Sequence, residues 1–152
     1  VSSGAASGRS SKEIVLAALA LIYSTEAMRA IDAYHDDVDF IGYAPVEFFP
    51  QMGARRGKAA AMEMLAALRD SYTQMRHEVE FIAADGDDVA VILRLHMQKT
   101  NGRIVQIQDA SFFKLRDGLI IRQRQFIDSF DALQQILEVD LTEVVARGQL
   151  GQ

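Results

Sequence analysis

Cysteine and tryptophan are both missing from this chain, and proline occurs only twice in 152 residues. Without Cys there is no disulfide and no thiolate ligand for a metal, and either redox compartment is compatible with the sequence. The three histidines, His35, His77 and His96, show no metal-ligand spacing such as His-Glu-x-x-His, so no metal site is expected. There is no block of Lys and Arg interleaved with aromatics, and the formal charge is −5, which argues against a nucleic-acid partner. The longest apolar run, Ile14–Tyr23, is too short for a membrane-spanning helix, which needs ~20 residues. A phosphate-binding glycine loop and a nucleophile elbow are also missing, and no cofactor is expected.

What remains is a chain with 49% apolar residues, long enough for one domain with a real core. Residues 1–11 are almost entirely Ser, Gly and Ala and bury too little surface to offset their ordering entropy. They read as a disordered leader or an expression remnant, and they lack the apolar centre of a signal peptide. The expected location is cytoplasmic. Residues 12–139 form the domain, and residues 140–152 a C-terminal extension.

Lys12–Tyr23 is an apolar helix that Ser10 or Ser11 can cap, and Glu26–Tyr34 is a second short one. His35–Tyr43 reads as a strand. Ala44–Ala54 contains both prolines, Phe48 and Phe49, and reads as a loop folded over something apolar. Gly57–Tyr72 is the clearest helix. Four strands follow end to end, Met75–Ala84, Val89–Lys99, Ile104–Leu115 and Leu119–Ile127. Their connections contain Asp85-Gly86, Asn101-Gly102 and Asp117-Gly118, which suit tight hairpins. A helix, Phe130–Val139, closes the domain, with Asp128 placed to cap it. Helices before a block of strands give an α+β fold: a curved, mainly antiparallel sheet packed against a long helix and two N-terminal helices.

The order and spacing of these elements resemble the nuclear transport factor 2-like superfamily, which includes ketosteroid isomerase, scytalone dehydratase, limonene epoxide hydrolase and SnoaL-like polyketide cyclase. Three segments carry the resemblance: Tyr34-His35-Asp36-Asp37-Val38-Asp39-Phe40 at the first strand, Gly57-Lys58-Ala59 opening the long helix, and the final hairpin around Phe113–Ile120. It implies a cone-shaped sheet around a cavity for an apolar small molecule. It also implies a homodimer through the outer sheet face, and cofactor-free isomerisation, cyclisation or dehydration of a carbonyl compound. A non-catalytic ligand-binding or dimeric interaction module with the same fold is the alternative. Both carboxylates of the epoxide hydrolase pattern are replaced: the Arg-x-Asp becomes Arg94-Leu95-His96, and Gln125 stands where the second acid would be. The base of a ketosteroid isomerase would fall near Gly42, which has no side chain.

Arg94 and His96 lie two apart on one strand and point the same way. The expected group is His96 as acid/base, Asp109 as base or orienter and Arg94 as oxyanion stabiliser. Ser111 competes with Asp109 for the third-strand position. Phe40, Tyr43, Phe48, Phe49, Phe113, Gln123 and Gln125 are expected to line the pocket. Each polar residue also has a structural reading: Arg94 and His96 in a salt-bridge ladder, Asp109 paired with Arg94 or Arg124 across strands, and His77 as a half-buried imidazole.

Overall fold

Serine at position 10 starts the first helix as its residue type predicts. In the computed structural model, which describes residues 8–150, Ser10 Oγ accepts the Glu13 N–H at 3.2 Å and α1 runs Ser11–Ile22. The second expected helix is a 3-10 helix, Ala27–Ala33, and the chain turns extended at Tyr34 to begin β1, Tyr34–Tyr43. The proline-bearing loop then ends in a short strand that the sequence reading missed, β2, Gly53–Arg56. Its four residues are too few to show an alternating pattern. Helix α2, Gly57–Ser71, follows directly.

Strands β3 (Gln74–Asp85), β4 (Asp88–Gln98), β5 (Ile104–Arg116) and β6 (Leu119–Ile127) form the expected meander. At the β5–β6 turn Arg116 pairs with Leu119, and both Asp117 and Gly118 take positive φ, 52° and 76°. That is the two-residue turn whose twist matches the flanking strands. Asp128 caps α3, Ser129–Leu137, by accepting the Asp131 N–H at 3.2 Å. A further helix, α4, Leu141–Leu150, covers a region that carries no sequence signal beyond Val145.

The six strands form one curved, unclosed sheet in the order β2-β1-β6-β5-β4-β3. All neighbours are antiparallel except β1 and β6, which pair in parallel. Helices α1 and α2 cover the inner face. On β4, Val89, Val91, Leu93, Leu95 and Met97 point inward and are buried, while Ile92, Arg94 and His96 point outward. The expected leader falls mostly on residues 1–7, which lie outside the described residues.

Candidate functional site

The alternation along β5 places Val105, Ile107, Asp109, Ser111, Phe113 and Leu115 on the inner face. Asp109 and Ser111 therefore enter an otherwise apolar stripe. On β6 the same face carries Gln123 and Gln125, and Ser111 pairs directly with Gln125 across the strands. The result is a polar set inside the core. Ser111 Oγ donates to Asp109 Oδ1 at 2.8 Å, and Gln125 Nε2 donates to Asp109 Oδ2. The Tyr34 hydroxyl donates to Gln123 Oε1 at 2.8 Å.

Asp109 is 1% exposed, and no cation is among its hydrogen-bond partners. Burial raises its pKa to about 6, against the opposing pull of the Gln125 and Ser111 hydrogen bonds. The Tyr23 phenol lies against Gln125, and burial and then the Asp109 charge hold its pKa well above the ordinary value. Burial also raises Tyr34, and it raises Tyr72 against the opposing pull of a hydrogen bond with the Gln51 side chain. All three phenols therefore stay protonated near neutral pH and can donate. Tyr23 also packs against the His77 ring, whose centroid is 5.7 Å away.

Between the inner sheet face and α2 lies a narrow cavity of about 30 Å³, bordered by Tyr23, Tyr34, Gln51, Gln123, Gln125 and apolar side chains that include Met52, Met64 and Met97. It has room for one or two water molecules. Asp109 sits behind Gln125. The loop between β1 and β2 closes the cavity. Phe49 and Met52 are buried, and Gly42 is needed beneath them: a Cβ there would stand 2.7 Å from Met52 Sδ. Gln51 shares this cavity, and its Oε1 is buried without a hydrogen-bond partner among the described residues.

The structure separates the expected catalytic group. Arg94 and His96 stand on the outer face, with Arg94 Nε 3.0 Å from Glu80 Oε1 and His96 Nε2 3.2 Å from Glu78 Oε2. Their cross-strand partners on β5 are Gln108 and Gln106, whereas Asp109 faces inward opposite Leu93. Strand alternation defines two faces but not which one the helices cover. The helices took the more apolar side, and this put the polar pair outside. Asp109 pairs with neither Arg94 nor Arg124; the Arg124 guanidinium holds Asp39 at 2.9 Å.

The pocket-lining set also divides. Gln123 and Gln125 border the cavity. Phe40, Phe49 and Phe113 are buried in the core but do not border it. Tyr43 is 46% exposed on the outer face, because Gly42 takes the inward position, and it stacks on Phe126 at 4.6 Å. Phe48 is exposed on the loop. Sequence reasoning missed Tyr23, Tyr34, Gln51 and Tyr72. The legible signal was the interruption of two apolar stripes by Asp109, Ser111, Gln123 and Gln125. A larger hollow of about 530 Å³ lies on the outer face over Ala83, Ala90 and Phe112. It is an open depression, and two of its three cations are already paired, Lys114 with Asp88 and Arg124 with Asp39.

This architecture, a curved six-stranded sheet with a polar set inside it, is that of the nuclear transport factor 2-like class. The chain belongs to the SnoaL-like domain family, whose model matches residues 17–123. Among solved structures, it is similar to a candidate isomerase from Rhodopseudomonas palustris, with 26% identity and a TM-score of 0.78 over 86% of this chain and 98% of that one. TerC, crystallised with polyporic acid, shares the fold at 20% identity, with a TM-score of 0.73 over 84% of this chain and 98% of that one. A candidate SnoaL-like polyketide cyclase from a Jannaschia species shares it at 21% identity, with a TM-score of 0.71 over 83% and 90% of the two chains. No curated protein matches the chain. Among the described residues, no helix is long and apolar enough to cross a membrane, and no cluster of three metal-ligating side chains occurs.

Proposed function

We propose that this protein binds an apolar carbonyl compound in the sheet interior and moves protons on it, with the Asp109 carboxylate as the base. The observation that carries this reading is a carboxylate buried in an apolar core with its pKa raised to about 6. Perturbed carboxyl groups of this kind concentrate at functional sites. A base with a pKa just below neutrality is mostly ionised at pH 7 and still basic enough to take an α-proton. Ser111 and Gln125 hold the carboxylate in one orientation. The oxygen of the resulting enolate needs a donor, and the Tyr23 phenol, kept neutral by burial beside Gln125, is placed to serve. Returning the proton to another carbon isomerises the substrate. Attack of the enolate on a second carbonyl closes a ring. No cofactor enters these steps.

The narrow cavity supports a second reading, a ligand-binding module without chemistry, because Asp109 does not itself border the space. One experiment separates the two. The protein is incubated with 3-cyclohexenone in deuterated water, and NMR follows deuterium entry at the α-carbon and conversion to the conjugated enone. The expected rate rises with pH through about 6, and Asp109→Asn lowers it at least about 100-fold. Saturable binding with no exchange above the buffer rate would leave only the module.

The outer sheet face supports a homodimer. Strand pairing aligns Phe81, Ile92, Ala110, Phe126 and Tyr43 in one row across five strands. Phe81, Ile92, Phe126 and Tyr43 are all exposed. Phe112 adds an edge-on contact to Phe126 at 6.0 Å. A contiguous apolar row of this extent, rich in aromatics and flanked by charged residues, has the composition of an interface.

A further inference from the structure

We infer that Gln51 selects the ligand of the interior site, and that this ligand is a neutral molecule presenting a phenolic or enolic hydroxyl to the Gln51 amide oxygen. The inference rests on the reading of the interior as a small-molecule site. Three observations converge on it.

First, Gln51 is 9% exposed, and its Oε1 is buried with no partner among the described residues. A buried acceptor left unpaired carries its full desolvation penalty, so a residue there solely to close the cavity would better be Leu or Met. Second, the loop fixes this side chain in place. Phe49 and Met52 are buried on either side of it, Met52 N–H donates to the Phe49 carbonyl at 2.9 Å, and the Arg55 guanidinium donates to the Pro50 carbonyl at 2.6 Å. Gln51 is thus preorganised toward the interior. Third, the other amides are already engaged: Gln123 Oε1 accepts from Tyr34, and Gln125 Nε2 donates to Asp109. The Tyr72 phenol also engages the Gln51 side chain, and Gln51 Oε1 is left as a buried acceptor of the cavity lining with no partner among the described residues.

The charge of the ligand follows from the lining. Among the described residues no Lys or Arg borders the cavity, and a carboxylate lies just behind it. An anionic ligand would be buried without a counter-charge, which is strongly unfavourable. The remaining lining is largely Leu, Ile and Met, which accepts a flat apolar body. The cavity of about 30 Å³ takes the hydroxyl end. Displacement of the unbranched Met64 and Met97 side chains makes room for the ring.

Phenol and toluene test this, because they match in shape and differ by one donor. Wild type and Gln51→Met are titrated with each while NMR follows the methyl signals of Met52, Met64 and Met97 and the Gln51 side-chain amide. Wild type is expected to bind phenol about 10-fold more tightly than toluene. Only phenol is expected to shift the Gln51 amide. Gln51→Met is expected to erase the preference and hold toluene within about 2-fold. Equal affinities in wild type, with the methyl signals responding to both probes, would overturn the role of Gln51 and leave the interior site standing. So would a preference that survives Gln51→Met alongside a raised melting temperature, which would identify Gln51 as the partner of a structural water. Methyl signals that respond to neither probe would overturn the interior site itself. The Gln51 amide readout uses wild type alone, so the proposal can be tested even where the variant fails to fold.

Discussion

Replacing Asp109 with Asn separates the cost of a buried charge from the hydrogen bonds around it. In the folded protein the carboxyl titrates at about 6 in place of its ordinary 3.8. Between those values the folded state holds the proton that the unfolded chain has released. Stability therefore falls as pH rises through the window, and the full loss is present above about pH 6. A shift of this size corresponds to ~3 kcal/mol. Asn is neutral throughout. Its oxygen can still accept from Ser111, and the Gln125 amide can turn to accept from its nitrogen, so any hydrogen-bond penalty is constant with pH. Other carboxylates are common to both proteins and cancel in the difference. The stability of Asp109→Asn relative to wild type should thus improve by ~3 kcal/mol between pH 4 and pH 7. For a domain of this size that is roughly 6–12 °C in melting temperature. Calorimetry of both proteins across this range reads it directly. Parallel melting curves, or a gap that widens toward low pH, would refute the argument that burial governs this carboxyl.

Three further outcomes follow from the geometry. Tyr34→Phe leaves Gln123 Oε1 buried without its donor and should cost about 1–3 kcal/mol in denaturant unfolding. Arg94→Ala breaks an ion pair and His96→Ala a hydrogen bond on the outer face, and each should change stability by less than ~1 kcal/mol while leaving deuterium exchange into 3-cyclohexenone unchanged. In sedimentation, wild type should run as a dimer and Phe126→Ser should shift toward monomer; a wild type that sediments as a monomer would end the case for pairing through this face.

Much of the fold was legible because the pattern was local. The period-two alternation in β4 and β5 and the Asp117-Gly118 turn each express a short-range preference, and each formed as the pattern indicates. The second helix became 3-10, and β2 escaped notice because four residues carry no period. The candidate site was half legible. Asp109, Gln123 and Gln125 stand out in the sequence as polar breaks in apolar stripes, whereas Arg94 and His96, expected beside them, lie on the other face by the same alternation. Tyr23, Tyr34 and Gln51 come from a helix end, a strand start and a loop, and nothing in their local sequence shows that they meet.

Residue order alone determined the elements, the hairpins and the two chemically distinct sides of each strand, because these depend on backbone preferences and spacing within a few positions. Which side turned inward depended on where α1 and α2 came to rest, a matter of the total apolar area the sheet and helices could hide together. That choice placed a carboxyl group in the buried interior and sent the arginine–histidine pair to the outside.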